Sequence, residues 1–372
     1  MSNTKEIIKI RIAQRRWQNE IFRKDIDYCS TYRPKKKSKS KKATEYLKFP
    51  QNFSIYSADE NKYYKDTMNI ISAISRAVDK DVKKIHLDFS QTKTIKVAAI
   101  LILYATIENA IDAGINFRIT SFSKEPKATE IIKRSGIHFL CKENKHTPKF
   151  DGEFIPVISG SGGAYRDDIV DFIQHQIYKN KMSPSTESKY GGAVQEAINN
   201  VAYHAYPNIN DSFKKKWWVM CDLAGDQLFL AIYDIGVGIP ETVMKRTWYE
   251  NVLKNTYPEQ QEKITAELSK EGISLPNMLR YKLSDKLGIV SDAMKIAVSM
   301  VGDITGTASS KHGQGSKSIK ALVTENKQGT LWIYSNNGLY KLCSGKVKTH
   351  DLPIPVLGTL LQWNIKVNLD DN

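Results

Sequence analysis

Residues 188–206, SKYGGAVQEAINNVAYHAY, constrain the fold most strongly because they predict one helix with two different faces. Apolar residues recur at i, i+3, i+4, i+7 and i+11, which is typical of a helix that packs on a hydrophobic core. This stripe consists of Val194, Ala197, Ile198, Val201 and Ala205. On another side, Glu196, Asn200 and His204 follow one another at intervals of four residues. A carboxylate, a carboxamide and an imidazole in one row suit chemistry on a metal-bound phosphate, although a solvated polar face gives the same pattern.

The composition indicates a globular chain without a membrane span. Hydrophobic residues make up 41% and charged residues 26% of the 372 residues, as in ordinary globular proteins. No apolar run approaches the roughly 20 residues that a membrane helix needs, and the N-terminus shows no apolar leader core. The four cysteines are scattered and form no CxxC pair, which favours reduced thiols over a disulfide frame or a zinc site. We therefore expect a cytoplasmic protein with no membrane partner.

The net charge of +15 is concentrated in an N-terminal extension, residues 1–44. This extension has fourteen Lys or Arg and four Asp or Glu, which leaves +10 there and +5 for the rest of the chain. Its run 33–42, RPKKKSKSKK, has no apolar anchor and predicts a flexible linker. The run suits nucleic acid or an acidic partner, but no aromatic residue is interleaved with its lysines. Nucleic acid is therefore not the favoured partner of this run, and a solubilising tail is the alternative.

Residues 45–150 predict an α/β domain because strand and helix patterns alternate along them. The strands are expected at 85–89 and 116–120, and the helices at 67–78, 97–113 and 127–135. This order resembles the STAS domain, the small α/β module of anti-sigma-factor antagonists. Lys96-Val97-Ala98-Ala99 stands where those antagonists have a phosphorylated serine. The resemblance therefore implies a docking or scaffold module that has lost the phosphorylation switch.

A glycine-rich stretch at 152–163 predicts a break, and we place the domain boundary near 150–160. The chain beyond it again alternates between helical and extended patterns. Helices are expected at 166–179, 188–206, 240–255, 258–270, 284–301 and 316–323. Strands are expected at 217–223, 227–233, 330–335, 338–343 and 359–367. The first two are separated by a Gly-Asp turn, which predicts a hairpin.

Two further segments supply groups that suit a nucleotide. In residues 231–240, AIYDIGVGIP, a strand ends at Asp234 and is followed at once by Gly236 and Gly238. An aspartate there can accept a hydrogen bond from an amino group such as that of adenine, and glycines let the backbone approach a flat ligand. In residues 309–319, SSKHGQGSKSI, a glycine-rich turn opens a helix whose free N–H groups suit phosphate oxygens. This turn is not a Walker A loop, because it lacks GxxxxGK followed by Ser or Thr.

These three segments together resemble the GHKL ATPases, a group that includes gyrase, MutL and the histidine kinases. EAINNVAYHAY is similar to the N box of the anti-sigma-factor serine kinases, with Val201 in place of their second alanine, and DIGVGIP matches their G1 box. KHGQGSKSI has the Gly-x-Gly of their G2 box, with Ser316 in place of a leucine. Gly358-Thr359-Leu360 resembles the Gly-Thr of their last strand. The resemblance implies a two-layer α/β sandwich, the Bergerat fold, over residues 160–370, with an ATP lid at about 241–312.

The resemblance also implies ATP and Mg²⁺ as cofactors and gives each candidate residue a role. Asn200 would be the protein ligand of Mg²⁺, and Glu196 would be the general base. Asp234 would bind the adenine amino group, and His204 would support the polar row. The other nucleotide-binding candidates are Gly236, Gly238 and Thr359 at the adenine, and Lys311, His312, Gly313 and Gly315 at the phosphates.

Three functions remain open at this point. The first is an Mg-dependent ATPase that acts as a nucleotide-driven switch towards a protein partner, and a homodimer is left open. The second is a serine/threonine protein kinase of the anti-sigma-factor type, which would use the same Glu196 on another protein. The third is a regulatory module that binds ATP without chemistry, and the presence of both Glu196 and Asn200 argues against it. A histidine kinase is not favoured, because no helix before residue 160 offers an acceptor histidine in a dimerisation hairpin.

Overall fold

A computed structural model describes residues 44–56, 62–80, 82–144, 154–270, 287–305, 315–326 and 328–368. These residues form a mixed α/β structure, as the sequence predicts. The expected flexible extension lies outside the described residues except for Thr44. Among the helices in these ranges, none combines the length and the apolar character that crossing a membrane requires.

Residues 44–143 form an α/β layer around a parallel three-stranded sheet. Its strands, in the order β1-β3-β5, are β1 (Thr44–Lys48), β3 (Lys84–Asp88) and β5 (Asn116–Ser121). A second, short parallel pair consists of β2 (Asn52–Phe53) and β4 (Thr94–Ile95). The helices are α1 (Lys62–Asp79), α2 (Val97–Asp112), α3 (Pro126–Arg134) and α4 (Ile137–Glu143). The strands and helices predicted for this part of the chain are confirmed.

Helix α2 is unusual because it is buried on all sides: every residue from Ala98 to Ile107 is buried. A helix that is apolar around its whole circumference is typical of a core position between two layers. One of these layers is the three-stranded sheet, and the other is a larger sheet formed by the second half of the chain.

The larger sheet has five strands and is antiparallel throughout. The strands are β6 (Ile155–Ser161), β7 (Lys216–Ala224), β8 (Gln227–Asp234), β9 (Thr330–Cys343) and β10 (Lys346–Lys366). Their order in the sheet is β6-β7-β8-β10-β9. The β7–β8 hairpin was predicted from its Gly-Asp turn and is confirmed.

Strand β6 corrects the prediction of a break at 152–163, because Ile155–Ser161 pairs with β7 at the sheet edge. The glycine that suggested flexibility has a packing role instead. A Cβ on Gly160 would overlap the indole ring of Trp217, which lies across the strand at this position. Glycine within a strand often marks such a close approach.

Strands β9 and β10 also differ from the prediction of three separate strands at their positions. β9 is continuous through Asn336, which adopts a left-handed conformation with φ 50°. β10 extends from Lys346 to Lys366, and its register against β9 shifts between Asp351 and Thr359. The expected gaps are therefore irregularities within two long paired strands.

Helices cover one face of the five-stranded sheet. They are α5 (Arg166–Phe172), α6 (Pro184–Asn200), α10 (Asp292–Thr305) and α11 (Gly315–Thr324). α6 is capped by Ser183, whose side chain accepts a hydrogen bond from the Thr186 N–H, and it continues into a π-helical turn, Val201–Ala205. The apolar stripe predicted on α6 is buried against this face.

The helix predicted at 240–255 is divided by a turn at 244–248. The three helices of this region are α7 (Ile239–Val243), α8 (Tyr249–Thr256) and α9 (Pro258–Lys270). They share a small separate core with α10. The predicted helix at 284–301 begins at Asp292 in the described residues.

The layer of residues 44–143 covers the other face of the five-stranded sheet. Glu108 of α2 accepts hydrogen bonds from the Trp218 indole N–H (2.6 Å) and from the Ser159 hydroxyl (3.0 Å). The Tyr64 hydroxyl donates to the carbonyl of Ile354 (2.7 Å). Trp218 and Tyr233 belong to the same hydrophobic cluster as α2. The two halves of the described chain therefore share the hydrophobic core that lies between the two sheets.

Candidate functional site

A cavity lies on the helix-covered face of the five-stranded sheet and contains about 840 Å³ of empty space, part of it open to solvent. Five candidate residues from the sequence line it: Asn200, His204, Asp234, Gly238 and Thr359. Apolar side chains from the sheet and the helices form much of the remaining wall, among them Ile232, Ile333, Leu361 and Met300. The structure therefore brings residues from three distant motifs to one concave site, which is the usual form of a small-molecule site.

Asp234 ends β8 and is buried, opposite Thr359 of β10. Its Oδ1 accepts a hydrogen bond from the Gly236 N–H (2.8 Å), and the Thr359 N–H also donates to the carboxyl group. Burial raises the pKa of Asp234 to about 7, and these two backbone hydrogen bonds oppose that rise. No charged side chain among the described residues shifts this pKa, so the carboxyl group is suited to accept a further hydrogen bond from a ligand.

The raised pKa of Asp234 predicts a pH dependence of stability. An aspartate whose folded-state pKa exceeds its unfolded value stabilises the fold at low pH, and this contribution is lost as pH rises towards about 7. Between about pH 5 and pH 8, wild-type protein should lose about 2–3 kcal/mol of unfolding free energy relative to Asp234→Asn. Urea unfolding of both proteins at the two pH values measures this difference.

Asp226→Asn is the control for this measurement, because Asp226 is an exposed aspartate in the β7–β8 turn. Its stability should follow that of the wild type over the same pH range. A gap between wild type and Asp234→Asn that stays constant from pH 5 to pH 8 would contradict the raised pKa.

The turn after β8 packs tightly against the end of α6 and against β9. A Cβ on Gly236 would overlap the carbonyl oxygen of Ala205, and that oxygen accepts a hydrogen bond from the Val237 N–H (2.8 Å). Gly238 has φ +85°, and a Cβ there would lie 2.8 Å from the Ser335 hydroxyl. Both predicted glycines are therefore required by the fold itself, in addition to any ligand contact.

Gly358, one residue before Thr359, is the position that tolerates a side chain least. Its φ is +75°, and a Cβ there would overlap the Asp234 carbonyl oxygen. We expect Gly358→Ala to reduce the unfolding free energy by more than about 3 kcal/mol, from left-handed strain and backbone overlap together. Gly225→Ala is the matched control: φ is +65° and no atom of the described residues lies within 4 Å of a Cβ. It should cost only about 1–2 kcal/mol. Equal losses in urea unfolding would contradict the overlap.

Glu196 lies against the start of α11, where a Cβ on Gly315 would overlap its Oε1. Asn200 follows one helical turn later and lines the cavity. Ser316, also at the start of α11, lines the cavity too. Its hydroxyl is buried and has no hydrogen-bond partner among the described residues. An unpaired buried hydroxyl and the first N–H groups of a helix form a set of donors that suits anionic oxygens.

Lys311, His312 and Gly313 lie outside the described residues, as do residues 271–286 and 306–310 of the predicted lid. The structure therefore places Glu196, Gly236 and Gly315 next to the cavity and leaves these three candidates as predictions. In the described ranges, no group of three or more His, Cys, Asp or Glu side chains is arranged to hold a metal ion. Asn200 is the predicted metal ligand that faces the cavity.

Arg246 and Trp248 line the cavity and were not predicted. The Arg246 guanidinium donates to Nε2 of His204 (2.8 Å). Burial, followed by the charge of Arg246, lowers the pKa of His204, which favours the neutral ring that accepts this hydrogen bond. Arg246 belongs to the turn that divides the predicted helix 240–255, so its sequence position gave no signal. His204 thus holds the Arg246 guanidinium in place at the cavity wall.

Comparisons with known proteins give no relative from which a function could be transferred. No family model, no curated protein and no solved structure matches the chain. The function proposed below therefore rests on the cavity, on the residues that line it and on the motifs to which those residues belong.

Proposed function

We propose that the chain binds ATP with Mg²⁺ in this cavity and is an Mg-dependent ATPase that acts as a nucleotide-driven switch. The nucleotide-binding part would be a Bergerat-type sandwich of the GHKL group, and residues 44–143 a STAS-like layer attached to it. The observation that carries the proposal is the convergence of Asn200, Asp234 and Thr359 on one cavity. These residues lie far apart in the sequence and belong to three motifs of that group.

The adenine would lie at that end of the cavity where strands of the five-stranded sheet form the wall. Asp234 supplies a buried acceptor for the exocyclic amino group, and apolar side chains such as Ile333 and Leu361 supply flat walls for the ring. An amino group that donates to Asp234 favours its ionised form, because a hydrogen bond to the carboxylate offsets the cost of burial. Thr359 lies beside Asp234 in register and presents its hydroxyl near that of Ser335 (3.1 Å).

The phosphates would lie at the start of α11. The first N–H groups of this helix can donate hydrogen bonds, as can the Ser316 hydroxyl, which has no partner among the described residues. The helix dipole favours negative charge there. The serine that replaces the leucine of the family motif thus contributes a donor. Mg²⁺, when bound, would neutralise charge on the phosphate oxygens, and the Asn200 carboxamide is its candidate protein ligand. Arg246 is a cation at the cavity wall that can pair with an anionic group.

Glu196 would accept the proton from the attacking nucleophile. Its carboxylate lies at the start of α11, beside the proposed phosphate site, and one turn before Asn200. The nucleophile would be water in an ATPase and a serine or threonine hydroxyl in a protein kinase. The same carboxylate position serves both reactions.

The switch would involve the helices α7 to α10, which form part of the predicted lid. Their small shared core is separate from the cores of the two sheets, but α10 also packs on the five-stranded sheet through Ile296, Ala297 and Met300. The helices α7 to α9 can therefore move relative to the sheet, with α10 as the fixed support. The sheet that carries the adenine site also packs against residues 44–143 through Trp218 and Tyr233. A change at the cavity would reach the STAS-like layer through this shared sheet, and that layer would present it to a protein partner.

One experiment separates the ATPase from its alternatives. Purified protein is incubated with γ-labelled ATP, with and without Mg²⁺, alone and with cell extract. Release of labelled phosphate by the protein alone, dependent on Mg²⁺, is the expected result. A labelled protein band with no free phosphate would favour the kinase. Binding of labelled ATP with neither product would favour a regulatory module, and the absence of binding would overturn the proposal.

A further inference from the structure

The three-stranded sheet has two faces. One packs on the core, and the other, called here the open face, is turned away from it. Side chains alternate along a strand, so Ile85 and Leu87 of β3 are buried while His86 points to the opposite side. The strand registers place Tyr46 opposite His86, and His86 opposite Arg118. These three side chains therefore form one row across the sheet, from its β1 edge to β5.

Two members of the row are aromatic, and one is widely exposed. Tyr46 is 74% accessible to solvent, and its ring stacks on that of His86 with a centroid distance of 4.7 Å and an interplanar angle of 15°. Partial burial, followed by the charges of Lys84 and Arg118, lowers the pKa of His86, so the ring that supports Tyr46 is neutral. The outer face of Tyr46 thus offers a flat surface to a planar group from solution.

The open face is positively charged. Lys48, Lys84 and Arg118 lie on it. An acidic residue, Asp88 of β3, lies on the same face of the sheet. Its carboxylate accepts a hydrogen bond from the Ser90 N–H (2.9 Å). Lys48 is opposite Asp88 in register, and hydrogen bonds from Ser90, followed by the charge of Lys48, lower the pKa of Asp88. Lys84 and Arg118 form no ion pair among the described residues. Lys84 and Arg118 therefore remain available to an anionic ligand, and Lys48 is shared with Asp88.

We propose that this face binds single-stranded nucleic acid. Bases would stack on Tyr46 and on the Arg118 guanidinium, and backbone phosphates would contact Lys48 and Lys84. Aromatic and planar cationic side chains on an exposed sheet face are the groups on which unpaired bases stack. An acidic protein would use the cations but would leave the exposed aromatic ring without a role. The proposal concerns a different sheet from that of the ATP cavity and does not depend on nucleotide binding.

The test is a fluorescence anisotropy titration of the full chain against short fluorescein-labelled oligothymidylate and oligouridylate, with a duplex of similar length for comparison. We expect the single strands to bind more tightly than the duplex, because only unpaired bases can stack. Tyr46→Ala should weaken single-strand binding by about 5- to 100-fold, the contribution of one stacked base. Arg118→Ala should weaken it as well, and binding should fall steeply with salt.

Phe213→Ala is the matched control, because Phe213 is an exposed aromatic residue (81%) outside this sheet. It should bind the oligonucleotides as the wild type does. Tyr46→Ala should keep its melting temperature, since the side chain is mostly in solvent. A variant with the lysines of the basic run 33–42 replaced by serine measures the separate contribution of that run to affinity.

Three results would overturn the proposal. The first is wild-type affinity in Tyr46→Ala and Arg118→Ala, with losses only in the variant of the basic run, which would reduce binding to unspecific charge. The second is displacement of the oligonucleotide by polyglutamate at equal charge concentration, which would point to an acidic protein. The third is the absence of binding at low salt.

Discussion

Asp234→Asn should bind ATP at least about 100-fold more weakly than the wild type. The reason is the hydrogen-bond arrangement around a buried carboxyl group. One oxygen accepts the Gly236 N–H (2.8 Å), and the Thr359 N–H also donates to the group. Asparagine keeps the shape but has only one acceptor oxygen, so its NH₂ group would face a donor. Loss of a hydrogen bond to a charged group and an unpaired buried donor together account for this reduction.

The same variant should also change the preference between nucleotides. Guanine carries a carbonyl oxygen where adenine carries its amino group, and the asparagine NH₂ can donate to that oxygen. We therefore expect the ratio of ATP to GTP affinity to fall in Asp234→Asn, even if binding of both is weak. Isothermal titration with ATP and GTP measures this ratio, and competition with a fluorescent nucleotide extends it to weak binding.

Asp226→Asn controls for the loss of one negative charge and should bind ATP as the wild type does. Asp234→Asn should remain folded, since it removes a charge from a site where burial favours the neutral form. Tight ATP binding by Asp234→Asn, with an unchanged ratio of ATP to GTP affinity, would show that adenine lies elsewhere. If Asp234→Asn proves to be unfolded, Asp234→Glu tests the adenine contact instead, because it keeps the charge but displaces the carboxylate. It should also bind ATP more weakly than the wild type.

The elements that the sequence predicted well are those whose pattern is local. The stripe of Val194, Ala197, Ile198, Val201 and Ala205 specifies a helix and the face that it buries, and both are confirmed. The β7–β8 hairpin follows from its turn residues. The candidates Asn200, Asp234 and Thr359 follow from motifs that resemble those of the GHKL ATPases, and the structure places all three around one cavity.

The features that the sequence did not reveal depend on contacts between distant segments. Gly160 suggested a flexible break because nothing in its neighbourhood shows that Trp217 packs against it from another strand. The sequence did not identify Arg246 as a cavity residue for a similar reason. Its turn interrupts a helical pattern, and its partner His204 is 42 residues away. Sequence periodicity cannot record such a pairing, because it reports only which face of one element is apolar.

One long-range feature did leave a signal in the sequence. Trp217 and Trp218 are adjacent in β7, and their side chains point to opposite faces of the sheet, where both are fully buried. A strand that is apolar at consecutive positions is typical of a sheet covered on both faces. Helix α2, which is apolar on all sides, supplies the matching surface. Together they indicate that the layer of residues 44–143 completes the core of the five-stranded sheet.

Glu196→Ala should keep ATP binding and reduce ATP turnover by at least about 100-fold, the usual contribution of a general base. The separation of the two effects follows from the position of the side chain. Glu196 does not line the cavity that holds Asp234 and Asn200, and its carboxylate lies against the start of α11. Removal of the carboxylate therefore leaves the adenine contacts intact and withdraws the proton acceptor. Single-turnover rates and titrated affinities measure the two effects independently.

Glu187→Ala is the matched control, because Glu187 lies in the first turn of the same helix. It should alter neither affinity nor turnover, whereas Glu196→Gln should behave like Glu196→Ala, since glutamine has the size of glutamate without its basicity. Turnover by Glu196→Gln within a few-fold of the wild type would exclude Glu196 as the base. Loss of binding in Glu196→Ala but not in Glu196→Gln would instead assign the side chain to the support of α11. If Glu196 is the general base, the rate of ATP turnover depends on the charge of residue 196 and not on its volume.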